Sequence, residues 1–281
     1  MDVNMAASMP ITPVVLTYNE EPNIRRTLDS LRWAERVVIV DSGSTDETEG
    51  IAKSFSNVDW YVRNFDSFKG QCEYAIHHTG IATKYVLALD ADMTVSNELV
   101  SEIESKFVAG SFEGGLLRFD FRLGGHSLAG SLYPAQVRLF RRDRVRVLQM
   151  GHGHTFDVDG AVYHFKNPLI HDDRKPLERW VASQLSYSAL ESRRIASRES
   201  YRFRDRLREL GVMPLIAGAL AYIRAGGPFR GAAAIRYACE RAAYECLLGI
   251  RLMSSKLEAK QKAATEAVPL QTSKLTDPDS K

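Results

Sequence analysis

The chain is 281 residues long, enough for one large domain or a domain with an appendage, and its 44% hydrophobic content excludes wholesale disorder. A formal charge of +2 gives no global basic field, so a nucleic-acid polymer is not an expected partner. Three cysteines, Cys72, Cys239 and Cys246, have neither metal-ligand spacing nor the even count of a disulfide framework, which fits a reducing compartment. No run of about 18 apolar residues suggests a membrane-spanning helix. The opening residues MDVNMAASMP lack the basic and apolar regions of a secretory signal. Together these features lead to the expectation of a cytoplasmic protein.

In chain order, residues 11–18 (ITPVVLTY) read as a first strand. Asn19 can cap a helix beginning just after it, and Pro22 falls in the first turn, where its missing N–H costs nothing. Ile24, Leu28 and Leu31 then keep helical spacing. A second strand, residues 36–41 (RVVIVD), runs into the turn SGSTD, with a helix starting near Asp46. Residues 58–63 form a short third strand, 69–79 a helix, VLALDAD a fourth strand and 97–107 an amphipathic helix. This alternation predicts an α/β fold with a mostly parallel, Rossmann-like sheet and helices on both faces. Ligands of such sheets bind at the carboxyl ends of the strands. Three polar clusters, Thr17-Tyr18-Asn19-Glu20, Asp41 to Asp46 and Asp90-Ala91-Asp92, should therefore gather on one edge.

After about residue 115 the alternation stops. LLRFDFR (116–122) and VRLF (137–140) read as strands of a second half with different, antiparallel topology lying over the first. Residues 176–209 form a long arginine-studded helical stretch, and 211–253 are apolar and rich in small residues. The composition from Lys262 to Lys281 is that of a disordered tail. The expected organisation is a main domain over 1–200, divided into a ligand-binding half (11–115) and an acceptor half (116–200). A C-terminal helical segment (201–261) and the tail (262–281) complete the chain.

The fourth strand poses a chemical problem, because four apolar residues lead straight into Asp90 and Asp92. Residues i and i+2 of a strand point the same way, so both carboxylates face one spot and repel unless a cation joins them. Hard divalent ions take oxygen ligands and clamp phosphate oxygens in turn. The alternative is a pair of ordinary loop carboxylates. Asp41 is placed to bond a base or ribose, or else to shape its turn; Asp46 reads as a capping residue. Glu20 has a similar choice between ligand and cap.

VVLTYNEEPNIRRTLDSL, VVIVDSGSTDET and VLALDADM, in this order and spacing, resemble the family 2 glycosyltransferases of GT-A fold. The likeness covers roughly residues 11–175. It implies a nucleotide-diphosphate sugar, with UDP the expected nucleotide, lying across the strand ends. Thr17, Tyr18 and Glu20 would line the nucleotide pocket, with Asp41 on the base and Asp90 on the ribose or the metal. Asp92 would hold Mg²⁺ or Mn²⁺ against the diphosphate. Glu73 stands where close relatives often carry Asn, so sugar preference does not transfer simply.

The second half must then supply the acceptor side. His171, after a short apolar run, is where such enzymes bring a late histidine to the metal; a packing histidine is the alternative. Inverting transfer needs a carboxylate to take the acceptor's proton, and Asp172 and Asp173 are the preferred candidates, with Asp157 behind them. Some relatives carry a glutamate near the position of Thr155, which this chain lacks. Arg174 and Lys175 would steady the leaving diphosphate or form a solvated pair. His152 and His154 alone are too few for a metal site.

Arg193, Arg194, Arg198, Arg202, Arg204, Arg206 and Arg208 precede an apolar stretch too interrupted to span a bilayer. Small and aromatic apolar residues beside arginines suit helices in a membrane interface, against the alternative of a subdomain packed on the core. The expectation is a peripheral enzyme on the inner face of the cell membrane, acting on a glycan or lipid-linked acceptor in lipopolysaccharide-type synthesis. Two rivals stand: a haloacid-dehalogenase-like phosphatase using Asp90 and Asp92, and a non-catalytic scaffold keeping a degenerate nucleotide fold.

Overall fold

A computed structural model describes residues 9–110, 112–150, 153–198 and 201–266. The first three strands are β1 (Ile11–Thr17), β2 (Val37–Asp41) and β3 (Val58–Val62), connected by α1 (Ile24–Asp29) and α2 (Thr48–Lys53). Helix α3 (Phe68–His78) leads to β4 (Tyr85–Asp90) and the short β5 (Met93–Thr94). Helix α4 (Asn97–Glu102) comes next and continues as a π-helical stretch, Ile103–Val108. In the sheet β1 pairs in parallel with both β2 and β4, and β2 pairs in parallel with β3. The registers Thr17↔Asp41 and Leu16↔Asp90 bring the three polar tips to one edge, as the alternation predicts.

Strand residues divide between two cores because successive side chains face opposite ways. Val15, Ile39, Leu87 and Leu89 pack against Ile24 and Leu28 of α1, Ala52 of α2, and Leu99, Ile103 and Phe107. Val14, Val38, Val40 and Val86 pack against Cys72, Ala75 and Ile76 of α3. The second face is not covered by helix alone. Val147 and Phe156 also reach it, from the antiparallel hairpin of β10 (Val145–Met150) and β11 (Gly153–Val158).

The second half corrects an expectation. Rather than lying over the first half as a separate layer, β6 (Gly114–Leu117), β9 (Gln136–Arg141) and β12 (Val162–His164) extend the same sheet, in the order β12-β6-β9-β4-β1-β2-β3. Strand β9 runs antiparallel between β4 and β6. The physical reason lies in its centre: Leu139 enters one core and Phe140 the other, so both faces need covering. A smaller sheet, β5-β13-β7-β8, is built from β5, β7 (Phe119–Leu123), β8 (His126–Ser127) and β13 (Leu169–His171).

Four α-helices follow among the described residues: α5 (Leu177–Ala196), α6 (Phe203–Glu209), α7 (Met213–Arg224) and α8 (Gly231–Glu266). The expected continuous helix over 176–209 is thus broken. Helix α8 also runs through residues 262–266, where a disordered tail is expected; residues 267–281 lie outside the described set. Two arginines from the basic cluster point inward. Arg208, 4% exposed, bonds Asp205, Glu191 and Glu245, and Arg194 bonds Glu191 and Asp205, tying α5, α6 and α8 together.

Candidate functional site

The site starts from the tip of β2. Asp41 is buried, and its carboxylate accepts from Thr17 Oγ1, from Ser44 Oγ and from the backbone N–H groups of Gly43 and Ser44. All four donors belong to the protein, so Asp41 shapes the 42–44 turn and Thr17 is spent on holding it. The neighbouring loop is stitched on by Asn19, in the left-handed region at φ 54°, a conformation that asparagine tolerates better than most residues. Its N–H donates to Ser44 Oγ, and its Oδ1 accepts from Thr45 N–H. Asp46 accepts from the N–H and hydroxyl of Thr48, a turn that leads into α2, whereas the cap position expected of it is held by Glu47. Tyr18 stands outside this lattice, 54% exposed at the mouth.

At the tip of β4, Asp90 Oδ2 accepts from Arg138 Nη2 of β9 at 3.2 Å. Burial works to raise the Asp90 carboxyl, but the Arg138 guanidinium, with His154 and His171, holds it below its ordinary value. Burial likewise works against Arg138, and Asp90 holds its charge in place. The loop beyond is pinned on both sides: Thr27 donates to the Ala91 carbonyl, and the Asp172 N–H donates to the Asp92 carbonyl at 3.0 Å.

Strand β13 pairs with β5, setting His171 opposite Met93, next to Asp92. His171 Nε2 lies 3.7 Å from Asp92 Oδ1. The imidazole is stacked on Phe121 with ring centroids 4.7 Å apart. Asp92 Oδ1 and His171 Nδ1 are buried without a hydrogen-bond partner among the described residues. Burial pushes the Asp92 carboxyl up, against the pull of His171 and Lys175.

Beyond β13 the two preferred carboxylates part company. Asp172 is 2% exposed and saturated: Oδ2 accepts from Arg26 and Arg174, and Oδ1 from the Gly125 N–H. Asp173 keeps 32% of its side chain exposed. Its Oδ1 accepts from Asn23 Nδ2 and the Lys175 N–H, and its Oδ2 lies 3.6 Å from Lys175 Nζ. Lys175 Nζ makes its shortest contact, 2.7 Å, with Glu20 Oε1. Burial alone would lower the Lys175 ammonium, but Glu20, Asp92 and Asp173 around it raise it overall. Burial, reinforced by Asp92, pushes Glu20 up to about 7 despite Lys175.

Thr17, Glu20, Asp41, Asp90, Asp92, His171 and Asp173 thus converge on one edge, whereas Asp172 is turned into its support. Asp157 forms an exposed cross-strand pair with Arg146 on the β10–β11 hairpin. Glu73 lies on the surface of α3 beside Lys69. His154 stacks on Phe68, and burial lowers its imidazole to about 4; His152 lies outside the described residues. Residues that the sequence reading did not single out also take part: Asn23, Arg26, Arg138, Tyr133 and Tyr187. Burial raises the two tyrosines, with Asp90 and Asp92 adding to the effect. For Asn23, Arg26 and Thr27 a signal existed, since three polar residues share one side of the first helical turn while Ile24 and Leu28 take the other.

The orphaned Asp92 oxygen and the mixed carboxylate–imidazole donor set fit a divalent cation with several ligands of its own. Among the described residues no group of three or more His, Cys, Asp or Glu side chains could hold an ion unaided.

Comparison with known proteins bears on this edge directly. Residues 13–125 match the model of glycosyl transferase family 2. The lipopolysaccharide core biosynthesis glycosyltransferase LpsC of Rhizobium meliloti is 24% identical over 163 residues, 57% of this chain and 57% of that protein. An uncharacterized glycosyltransferase of Rickettsia typhi is 34% identical over 100 residues, 35% of this chain and 33% of its own. The matches therefore span from a third to somewhat over half of these relatives. Among solved structures, S. aureus TarS with UDP-GlcNAc superposes with a TM-score of 0.48 at 12% identity, covering 89% of this chain and 92% of that one. Glucosyl-3-phosphoglycerate synthase from Mycobacterium tuberculosis gives 0.43 at 19% identity, covering 67% and 79%. Residues 13–125, which carry the tips of β1, β2 and β4, are thus the part of the chain that is similar to glycosyl transferase family 2.

Proposed function

We propose that the protein is an inverting glycosyltransferase that moves a sugar from a nucleotide-diphosphate donor, a UDP-sugar, to a glycan or lipid-linked acceptor. The supporting observation is the meeting of two distant chain segments: Asp92 at the tip of β4 and the His171–Lys175 run share one partly buried edge. In this reading the nucleotide enters beside exposed Tyr18, over the turn that Asp41 holds rigid. Asp90, fixed by Arg138, faces the ribose or the metal.

Asp92 and His171 would hold Mg²⁺ or Mn²⁺, with Asp90 behind them and donor phosphate oxygens and water completing the shell. The ion's contribution, when bound, is to neutralise charge on the diphosphate. The chain's own residues do the rest. Lys175, kept charged by its carboxylates, and Arg174, 46% exposed, face the charge that builds on the leaving group. Asp173 takes the proton from the acceptor hydroxyl as its oxygen bonds to the anomeric carbon and the bond to the diphosphate breaks. Asn23 and the Lys175 N–H grip Asp173 Oδ1, so Oδ2, 3.6 Å from Lys175 Nζ, is the oxygen assigned to the acceptor's proton in this reading.

The match to LpsC, a lipopolysaccharide core biosynthesis glycosyltransferase, supports a lipopolysaccharide-type acceptor, which in this reading is met at the cytoplasmic face of the cell membrane. The test is a panel of nucleotide sugars with Mn²⁺, reading nucleotide diphosphate release with and without glycolipid acceptor. Phosphate release from simple monoesters without a donor would favour the phosphatase reading instead. Donor binding with no turnover on any acceptor would favour the scaffold.

A further inference from the structure

Helix α7 is apolar on its buried side and on its exposed side alike. It turns Met213, Ala217 and Ala221 inward, and Ala221 packs with Ala234 and Tyr237 of α8 and with Leu123 and Leu128. Its exposed positions up to residue 223, together with the residue before it, are Val212, Leu215, Ile216, Ala219, Leu220 and Ile223, with no polar side chain among them. Leu215 is 80% exposed and Ile223 71%, and Phe229 in the next turn is 94% exposed. A surface helix of a globular protein ordinarily shows its polar residues to water.

The charges around this row have one sign. Between residues 202 and 230 the exposed charged side chains are Arg202, Arg204, Arg206, Arg224 and Arg230. The two acids of that span are withdrawn: Asp205 is buried, and Glu209 pairs with Arg198 and Lys256. The apolar row is therefore bracketed by arginines at both ends, with no exposed carboxylate. No helix among the described residues is long and apolar enough to cross a bilayer.

We propose that the α7 face is a membrane-docking surface, seated in the interface of a bilayer carrying anionic headgroups. Leu215, Leu220, Ile223 and Phe229 enter the headgroup–acyl boundary, and Arg202, Arg204, Arg206, Arg224 and Arg230 lie against lipid phosphates. Helices with an apolar face and a basic flank bind in this manner, lying in the membrane plane. The proposal deepens the functional reading above by naming where the acceptor's membrane lies, and it rests on that reading only for the acceptor.

The test is sedimentation of the full chain with vesicles of phosphatidylcholine alone or mixed with phosphatidylglycerol, without any donor. Binding to the mixed vesicles, weakening as salt rises, is the expected result. Leu215→Glu with Ile223→Glu lowers binding at least about tenfold, and Arg224→Ala or Arg230→Ala by roughly fivefold each, with circular dichroism unchanged. Nucleotide diphosphate release in detergent stays at the parent level in all of them. Equal binding by the double variant overturns the proposal. So does a dimer in sedimentation equilibrium that the double variant converts to monomer while neither protein binds vesicles, since a second copy then covers the face. Because vesicle binding is read without turnover, failure of docking and failure of the transferase reading remain separate.

Discussion

Asp92 Oδ1 and His171 Nε2 stand 3.7 Å apart, and the carboxylate oxygen has no hydrogen-bond donor among the described residues. A buried carboxylate oxygen without a donor costs about 1–3 kcal/mol or more, so the arrangement persists because the fold imposes it. Strand β13 carries His171 in on one side, and Thr27 with the Asp172 N–H pins the Ala91–Asp92 backbone. If a divalent ion completes this pair, Asp92→Asn keeps the fold and the melting temperature but lowers transfer at least about a hundredfold. Chelation has the same effect on the parent protein, reversed by Mn²⁺. Full activity of the variant in chelator would exclude the metal role.

Asp172 and Asp173 are neighbours with opposite duties. Asp172 accepts from Arg26, Arg174 and the Gly125 N–H while almost fully buried, so its removal strands those donors. Asp172→Ala should destabilise the protein by about 1–3 kcal/mol, read as a shift of the denaturation midpoint. Asp173→Asn keeps the Oδ1 acceptor and similar volume, so stability holds while kcat falls by about two to four orders of magnitude. If the two variants exchange these outcomes, the base is misassigned.

Strands β1, β2 and β4 are legible in the sequence because buried parallel strands read as near-continuous apolar runs, and their tips are placed by the alternation. What the sequence does not display is pairing at long range. Asn23 meets Asp173 across 150 residues, and Lys175 meets Glu20 across 155, and no local pattern shows which residue pairs with which. Arg138 is hidden for another reason: in VRLF it reads as an outward strand residue, yet it is 3% exposed because Asp90 stands opposite its charge. The two acids at 172 and 173 look equivalent on paper, and backbone direction alone separates them. The β10–β11 hairpin is hard to read because neither strand has a compact apolar run.

Glu20 gives the edge a pH signature. Its carboxyl is raised from 4.5 to about 7 by burial and by Asp92, with Lys175 opposing. The folded protein therefore holds this proton more tightly than the unfolded chain does. The contribution to stability is complete below about pH 4.5 and disappears as pH rises through about 7. We expect unfolding free energy to fall between roughly pH 5 and 8 by at most about 3 kcal/mol. In Glu20→Gln, which cannot ionise, that slope flattens. Urea midpoints across a pH series test this; parallel curves for both proteins would show that Glu20 does not titrate there.

Helices α5, α6 and α8 share a buried charge cluster. Arg208 spans Glu191 on α5, Asp205 on its own helix and Glu245 on α8, and both Glu245 contacts are 2.8 Å long. Breaking a buried ion pair from one side costs about 3–5 kcal/mol, because the remaining charge has lost its partner. Arg208→Ala leaves three carboxylates with Arg194 as the nearest compensation, and that residue already serves Glu191 and Asp205. We therefore expect Arg208→Ala to unfold the α5–α8 packing at a lower temperature than the sheet, giving two melting transitions in calorimetry. Arg208→Ala with Glu245→Gln should recover part of the loss, because the stranded charge is removed along with its partner. A single unshifted transition for Arg208→Ala would mean that the cluster contributes nothing to holding these helices together.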